Sequence, residues 1–81
     1  MKTKKENISN QVNGKIISFD DFDFDFGYLY TFFDPLTDEL CAGCGFNAGI
    51  SKSYSINYDY DFSVDENLEA LYEHIIEENM Q

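Results

Sequence analysis

Two cysteines three positions apart, Cys41-Ala42-Gly43-Cys44, are the first residues in this 81-residue chain whose spacing suggests chemistry. A C-x-x-C pair makes a structural zinc site only when two further ligands join it. The chain has one histidine, His74, so zinc here needs a carboxylate as well. A redox dithiol wants its first thiol at a helix N-terminus, where the dipole lowers its pKa. Gly43 and Gly45 place this pair in a strand or turn instead. The spacing is read as two small buried thiols in a tight hairpin.

Asp21-Phe22-Asp23-Phe24-Asp25 invites a calcium reading. An EF-hand loop requires Gly at its sixth position and Glu at its twelfth. Counting from Asp21, those positions hold Phe26 and Phe32, so the match fails. Paired carboxylates can also serve acid–base catalysis. With 16 acids in the chain, however, pairs arise without purpose. No arginine, glycine-rich phosphate loop or nucleophile motif accompanies them. His74 lies one position from an apolar stripe and reads as a boundary residue. The expectation is a protein that is not an enzyme and uses no cofactor and no metal.

The acids themselves are the stronger signal. Sixteen of them face five lysines, for a net charge of -11. Lys2, Lys4, Lys5 and Lys15 lie near the start; from Ile16 onward 15 acids meet Lys52 alone. That balance excludes direct binding of nucleic acid, which needs a basic footprint. Ordinary solubility needs a net charge of only about 2–8 with both signs interspersed. Composition also excludes a disordered tail, since 43% of residues are apolar and 17% aromatic. No window is apolar enough for a membrane span. The basic first residues are followed by no apolar segment of a secretion signal, so a cytoplasmic protein is expected.

These residues must be positioned by elements that the pattern outlines. Residues 1–7 read as a mobile Lys-rich tail and 8–81 as a single compact acidic domain. Asn13-Gly14 is a hairpin signal, joining a weak strand at 8–12 to one at 15–19. Phe22, Phe24, Phe26, Tyr28, Tyr30 and Phe32 alternate, with Asp21, Asp23 and Asp25 between the first of them, which predicts a long strand with its aromatic face on the core. Beyond Gly27, a place for a bulge or bend, the second face becomes Leu29, Thr31 and Phe33, and that end is expected to be covered on both sides. Asp34-Pro35 opens a type I turn. A strand at 39–46, a turn at Asn47-Ala48-Gly49 and a long strand through Tyr54 to Phe62 follow. Ser63 and Glu66 form a capping box, and Leu68, Leu71, Tyr72, Ile75 and Ile76 make one apolar stripe. A helix over 64–78 results. The fold class is α+β: an antiparallel meander of three or four strands with one C-terminal helix packed on one face.

On that scaffold the acids fall into rows. Strand positions i and i+2 stand about 6.7 Å apart on one face. Asp21, Asp23 and Asp25, with Asp20 beside them, make one row; Asp59 and Asp61 make a second. Glu66, Glu69, Glu73 and Glu77 make a third along the helix. Neighbouring strands would merge the first two into a charged sheet face. Rigid anionic rows imitate a nucleic-acid backbone, so the expected partner is a basic nucleic-acid-binding protein.

Through Asp20-Asp21-Phe22-Asp23-Phe24-Asp25, Tyr58-Asp59-Tyr60-Asp61 and the Glu-rich helix, the chain resembles small acidic DNA-mimic inhibitors of phage and mobile-element origin. Anti-restriction and anti-CRISPR proteins belong to that group. It shares charge and size and not one fold. The resemblance implies a non-enzymatic inhibitor without specifying its target. The competing reading is a protein–protein interaction module, such as an immunity or assembly subunit, that uses an aromatic surface.

Overall fold

Thr3 starts the first helix: its hydroxyl accepts the backbone N–H of Glu6 at 3.1 Å. This computed structural model describes residues 3–44 and 52–80. The elements are α1 (Lys4–Val12), β1 (Ile16–Ser18), β2 (Tyr28–Asp34), β3 (Glu39–Cys44), β4 (Lys52–Asn57) and α2 (Val64–Asn79). Helix α1 replaces both the expected tail at residues 4–7 and the expected strand at 8–12. The physical reason is its buried face: Ile8 and Val12, one helical turn apart, both enter the core.

Asn13-Gly14 accordingly joins a helix to a strand and forms no hairpin. Asn13 has φ -63°, which a type I′ turn forbids, and Gly14 alone takes the left-handed region at φ +83°. The join is fastened to β2. Asn13 Oδ1 accepts the Phe33 N–H at 2.9 Å, and the buried Thr31 hydroxyl donates to the Val12 carbonyl at 2.8 Å.

The four strands form one antiparallel sheet in the order β1-β2-β3-β4, the expected meander. Its register aligns Ile16 with Tyr30, Phe32 with Cys41 and Cys41 with Ser55. Asp34-Pro35 turns the chain into β3, with the Asp34 carboxylate accepting the Leu36 N–H at 2.9 Å. The expected turn at Asn47-Ala48-Gly49 lies outside the described residues.

Strand β2 begins six residues later than the alternation suggests, and its phase is reversed. Leu29, Thr31 and Phe33 are buried, whereas Tyr28, Tyr30 and Phe32 are exposed. Residues 20–27 are irregular. Within them the aromatic positions still turn inward and the Asp positions outward. Phe26 and Leu29 are both buried, and that odd spacing across Gly27 moves the following aromatics to the other face. Strand β4 likewise stops at Asn57, and residues 58–63 form a loop that leads into α2.

Both helices pack on the face of the sheet that carries Leu29, Phe33, Leu40 and Ala42: α1 over β2, and α2 over β3 and β4. The core is one cluster joining Ile8 and Val12 of α1, the inner face of the sheet, and Leu68, Leu71 and Ile75 of α2. No helix among the described residues is long and apolar enough to cross a membrane.

Candidate functional site

Helix α2 holds its carboxylates in a line because the capping box and the buried stripe fix its rotation. Ser63 Oγ accepts the Glu66 N–H at 3.1 Å and Glu66 returns a carboxylate oxygen to the Ser63 N–H at 3.2 Å. Leu68, Leu71 and Ile75 face the core, so Glu66, Glu69, Glu73 and Glu77 project away from it, all exposed. At about 1.5 Å rise per residue they advance in steps of roughly 4.5 to 6 Å. Among the described residues Glu69, Glu73 and Glu77 have no ion-pair partner; the helix's one histidine, His74, points toward Glu78 at 4.0 Å.

The Asp21–Asp23–Asp25 row sits on the 20–27 loop instead of a strand. Aromatic packing ties that loop to α2. Phe19 stacks on Tyr72 at 5.2 Å, Phe22 meets the same ring at 6.5 Å, and Phe24 stacks on Phe22 at 4.9 Å. The structure thus brings the loop that carries the first row against α2. The members of that row are not equivalent. Asp20 accepts the Ser18 hydroxyl at 2.9 Å, and Asp25 is paired with Lys52 at 3.1 Å, which holds that ammonium above its usual range. Asp21 and Asp23 are exposed and, among the described residues, unpaired.

Asp59 and Asp61 do not join the 20–27 loop; they lie in the loop that Asn67 ties to the first turn of α2, at the Glu66 end of the helix row. They follow β4, whereas the first loop precedes β2; β2 and β4 run the same way, so the two lie at opposite ends of the sheet. Asp59 is also engaged locally: its carboxylate accepts the Asp61 N–H at 2.9 Å, and its own N–H donates to Asn67 Oδ1 at 2.8 Å. The charged sheet face expected from the sequence is therefore not formed.

The face of the sheet away from the helices is aromatic. Ile16, Tyr28, Tyr30 and Phe32 stand 39–57% exposed there; for the last three the sequence alternation pointed to the core. Asp34 and Glu39, paired across β2 and β3, close one end of that stripe. Cys41 lies beside them, and burial first, then those two carboxylates, push its thiol up. Cys44 falls on the opposite face, because an odd spacing on a strand reverses direction. The C-x-x-C is thus neither a chelating pair nor a hairpin tip. No group of three metal-ligating side chains converges among the described residues.

A second feature went unread in the sequence. Lys5 pairs with Asp38 at 3.1 Å and Tyr60 donates its hydroxyl to the same carboxylate at 2.6 Å. That hydrogen bond and the lysine hold the Asp38 carboxyl below its usual range; partial burial, with Asp38 second, pushes the Tyr60 phenol up to about 12. Thr3-Lys4-Lys5-Glu6 carries the signal for α1, a capping pattern followed by Ile8 and Val12. Comparison with protein-family models, with curated proteins and with solved structures finds no match for the chain.

Proposed function

We propose that this protein is a non-enzymatic inhibitor that presents the α2 carboxylate ridge to the basic nucleic-acid-binding site of a target protein, such as a CRISPR or restriction nuclease. The observation that carries this reading is the ridge: four exposed carboxylates in line on one rigid helix of a chain with net charge -11. Asp21 and Asp23, held beside the helix by the Phe19–Tyr72 stack, extend the same anionic surface. Asp59 and Asp61 precede the ridge at its Glu66 end; Asp59 is engaged within its own loop, and neither is assigned a part. Like-sign surfaces of this kind steer a basic partner quickly and in a salt-dependent way.

The test is affinity capture on the immobilised protein from the source cell's lysate. A target held by phosphate mimicry elutes before 0.5 M salt and is displaced by duplex DNA. Retention through 0.5 M salt and indifference to DNA would sink the mechanism. The exposed Tyr28, Tyr30 and Phe32 favour a second reading, an interaction module that docks through the open sheet face. Capture would then resist salt and be lost in Tyr30→Lys.

A further inference from the structure

We propose that the cleft between the β1 edge and α2 takes an arginine side chain of the partner, an assignment that rests on the ridge reading and adds the group it recognises. The cleft has a volume of about 410 Å³ and lies against Ile17, Leu68 and Tyr72. Asp65 and Glu69, one helical turn apart, form one lip, and Lys15 and Ile16 form the other. Glu69 belongs to the ridge as well, so a partner seated on the ridge reaches the cleft without a second contact surface.

Its chemistry selects a long cation. The apolar walls cover methylene groups, as arginine and lysine stems require. The two carboxylates have no ion-pair partner among the described residues. Tyr72 lines the cleft half-buried, one face of its ring taken by Phe19. Arginine fits best, because its guanidinium is planar, packs against aromatic walls and pairs with a carboxylate through two hydrogen bonds. Lysine lacks that paired fork, and its ammonium is more strongly hydrated. An apolar side chain would leave both carboxylates facing it without a partner. Lys15 is the one adverse charge, set on the opposite lip.

Hexaarginine and hexalysine serve as probes, followed by backbone amide NMR on the full chain. Hexaarginine is expected to bind about tenfold tighter than hexalysine, the worth of one well-made charged hydrogen-bonding pair. Its largest shifts should fall at Ile17, Leu68 and Tyr72. Asp65→Asn with Glu69→Gln should abolish the preference for arginine. Glu73→Gln with Glu77→Gln, which removes the same charge outside the cleft, should weaken both peptides equally and keep it. Lys15→Gln should tighten hexaarginine. Equal affinity of the two peptides for the unmodified protein, or a preference that survives loss of Asp65 and Glu69, overturns the assignment. Either result leaves the ridge reading to its own test, since DNA-displaced capture does not depend on arginine. A firm arginine preference without any DNA-displaced target would instead retain the cleft and remove the proposed function.

Discussion

Phe19 lies nearly flat against Tyr72, with ring centroids 5.2 Å apart and planes 16° from parallel. Phe19 is 1% exposed and also touches Phe22, Phe24 and Phe26. Phe19, with Phe22 against the same ring, thus anchors the acidic 20–27 loop to α2. The alternation of Phe with Asp works there without a strand, because the rings seek this cluster while the carboxylates stay in water. Phe19→Ala should therefore cost about 3–5 kcal/mol in denaturant unfolding, whereas Phe62→Ala, at a site 54% exposed, should stay within about 0.5 kcal/mol. Equal costs at the two sites would mean the loop does not depend on the stack.

Asn67 organises the loop before α2. It is 3% exposed and accepts the Asp59 N–H while donating to the carbonyls of Ser63 at 2.8 Å and Asp59 at 3.0 Å. Asn67→Leu preserves volume and leaves the Asp59 N–H without its partner, a loss of about 1–3 kcal/mol, while the Ser63 and Asp59 carbonyls keep the Asn67 and Phe62 N–H groups. Thermal melting should fall accordingly, and amide exchange at Asp59 should accelerate. Unchanged exchange at that amide would show that the side chain does not hold the loop.

Asp38 and Tyr60 set opposite limbs of the pH–stability curve. The Asp38 carboxyl is lowered, by the Tyr60 hydroxyl first and Lys5 second. Its contribution is complete above the unfolded value of about 4 and is lost as pH falls through the lower folded value. Tyr60, raised to about 12, contributes fully below about 10 and loses that contribution as pH climbs through the folded value. Tyr60→Phe should flatten the alkaline limb. It should also raise the Asp38 midpoint in a carboxyl NMR titration, and an unmoved midpoint would assign the low value to Lys5 instead.

Cys41 and Cys44 are separated by about 10 Å along β3, beyond the roughly 7 Å across which a disulfide can close. They also face opposite ways. Mild oxidation of the dilute protein should leave both thiols free to alkylating reagents after unfolding, giving two adducts by intact mass. An intramolecular disulfide would contradict the strand.

How far these features were legible depends on whether a local pattern or a tertiary constraint decided them. Ser63 and Glu66 with the Leu68–Ile76 stripe are local, and they located α2 to within one residue of its observed end. Asp34-Pro35 and the meander were legible for the same reason. The phase of β2 was not, because alternation fixes two faces without saying which is buried, and the spacing across Gly27 exchanges them. The aromatic open face was lost in that exchange. The three acid rows were visible as spacings, but their arrangement follows from where β2 and β4 begin and end, which no local pattern records. Helix α1 was hidden by its lysines: Ile8 and Val12 are only two apolar anchors on an otherwise polar segment.

The ridge sets stability against binding, and that opposition gives its sharpest test. Glu73 lies four residues from both Glu69 and Glu77, so the helix carries two like-charge pairs there. Glu73→Lys converts both into opposite-charge pairs and places a cation toward the C-terminal half, where the helix dipole favours it. The variant should gain about 1 kcal/mol in unfolding free energy. A target held by the ridge should nevertheless elute from it at lower salt, because one anion of the row has become a cation. Glu39→Lys, on the sheet face away from the helices, should leave elution unchanged. A more stable protein that binds less cannot be explained by damage to the fold. Loss of capture in Glu39→Lys equal to that in Glu73→Lys would show that net charge alone, and not the ordered ridge, attracts the partner.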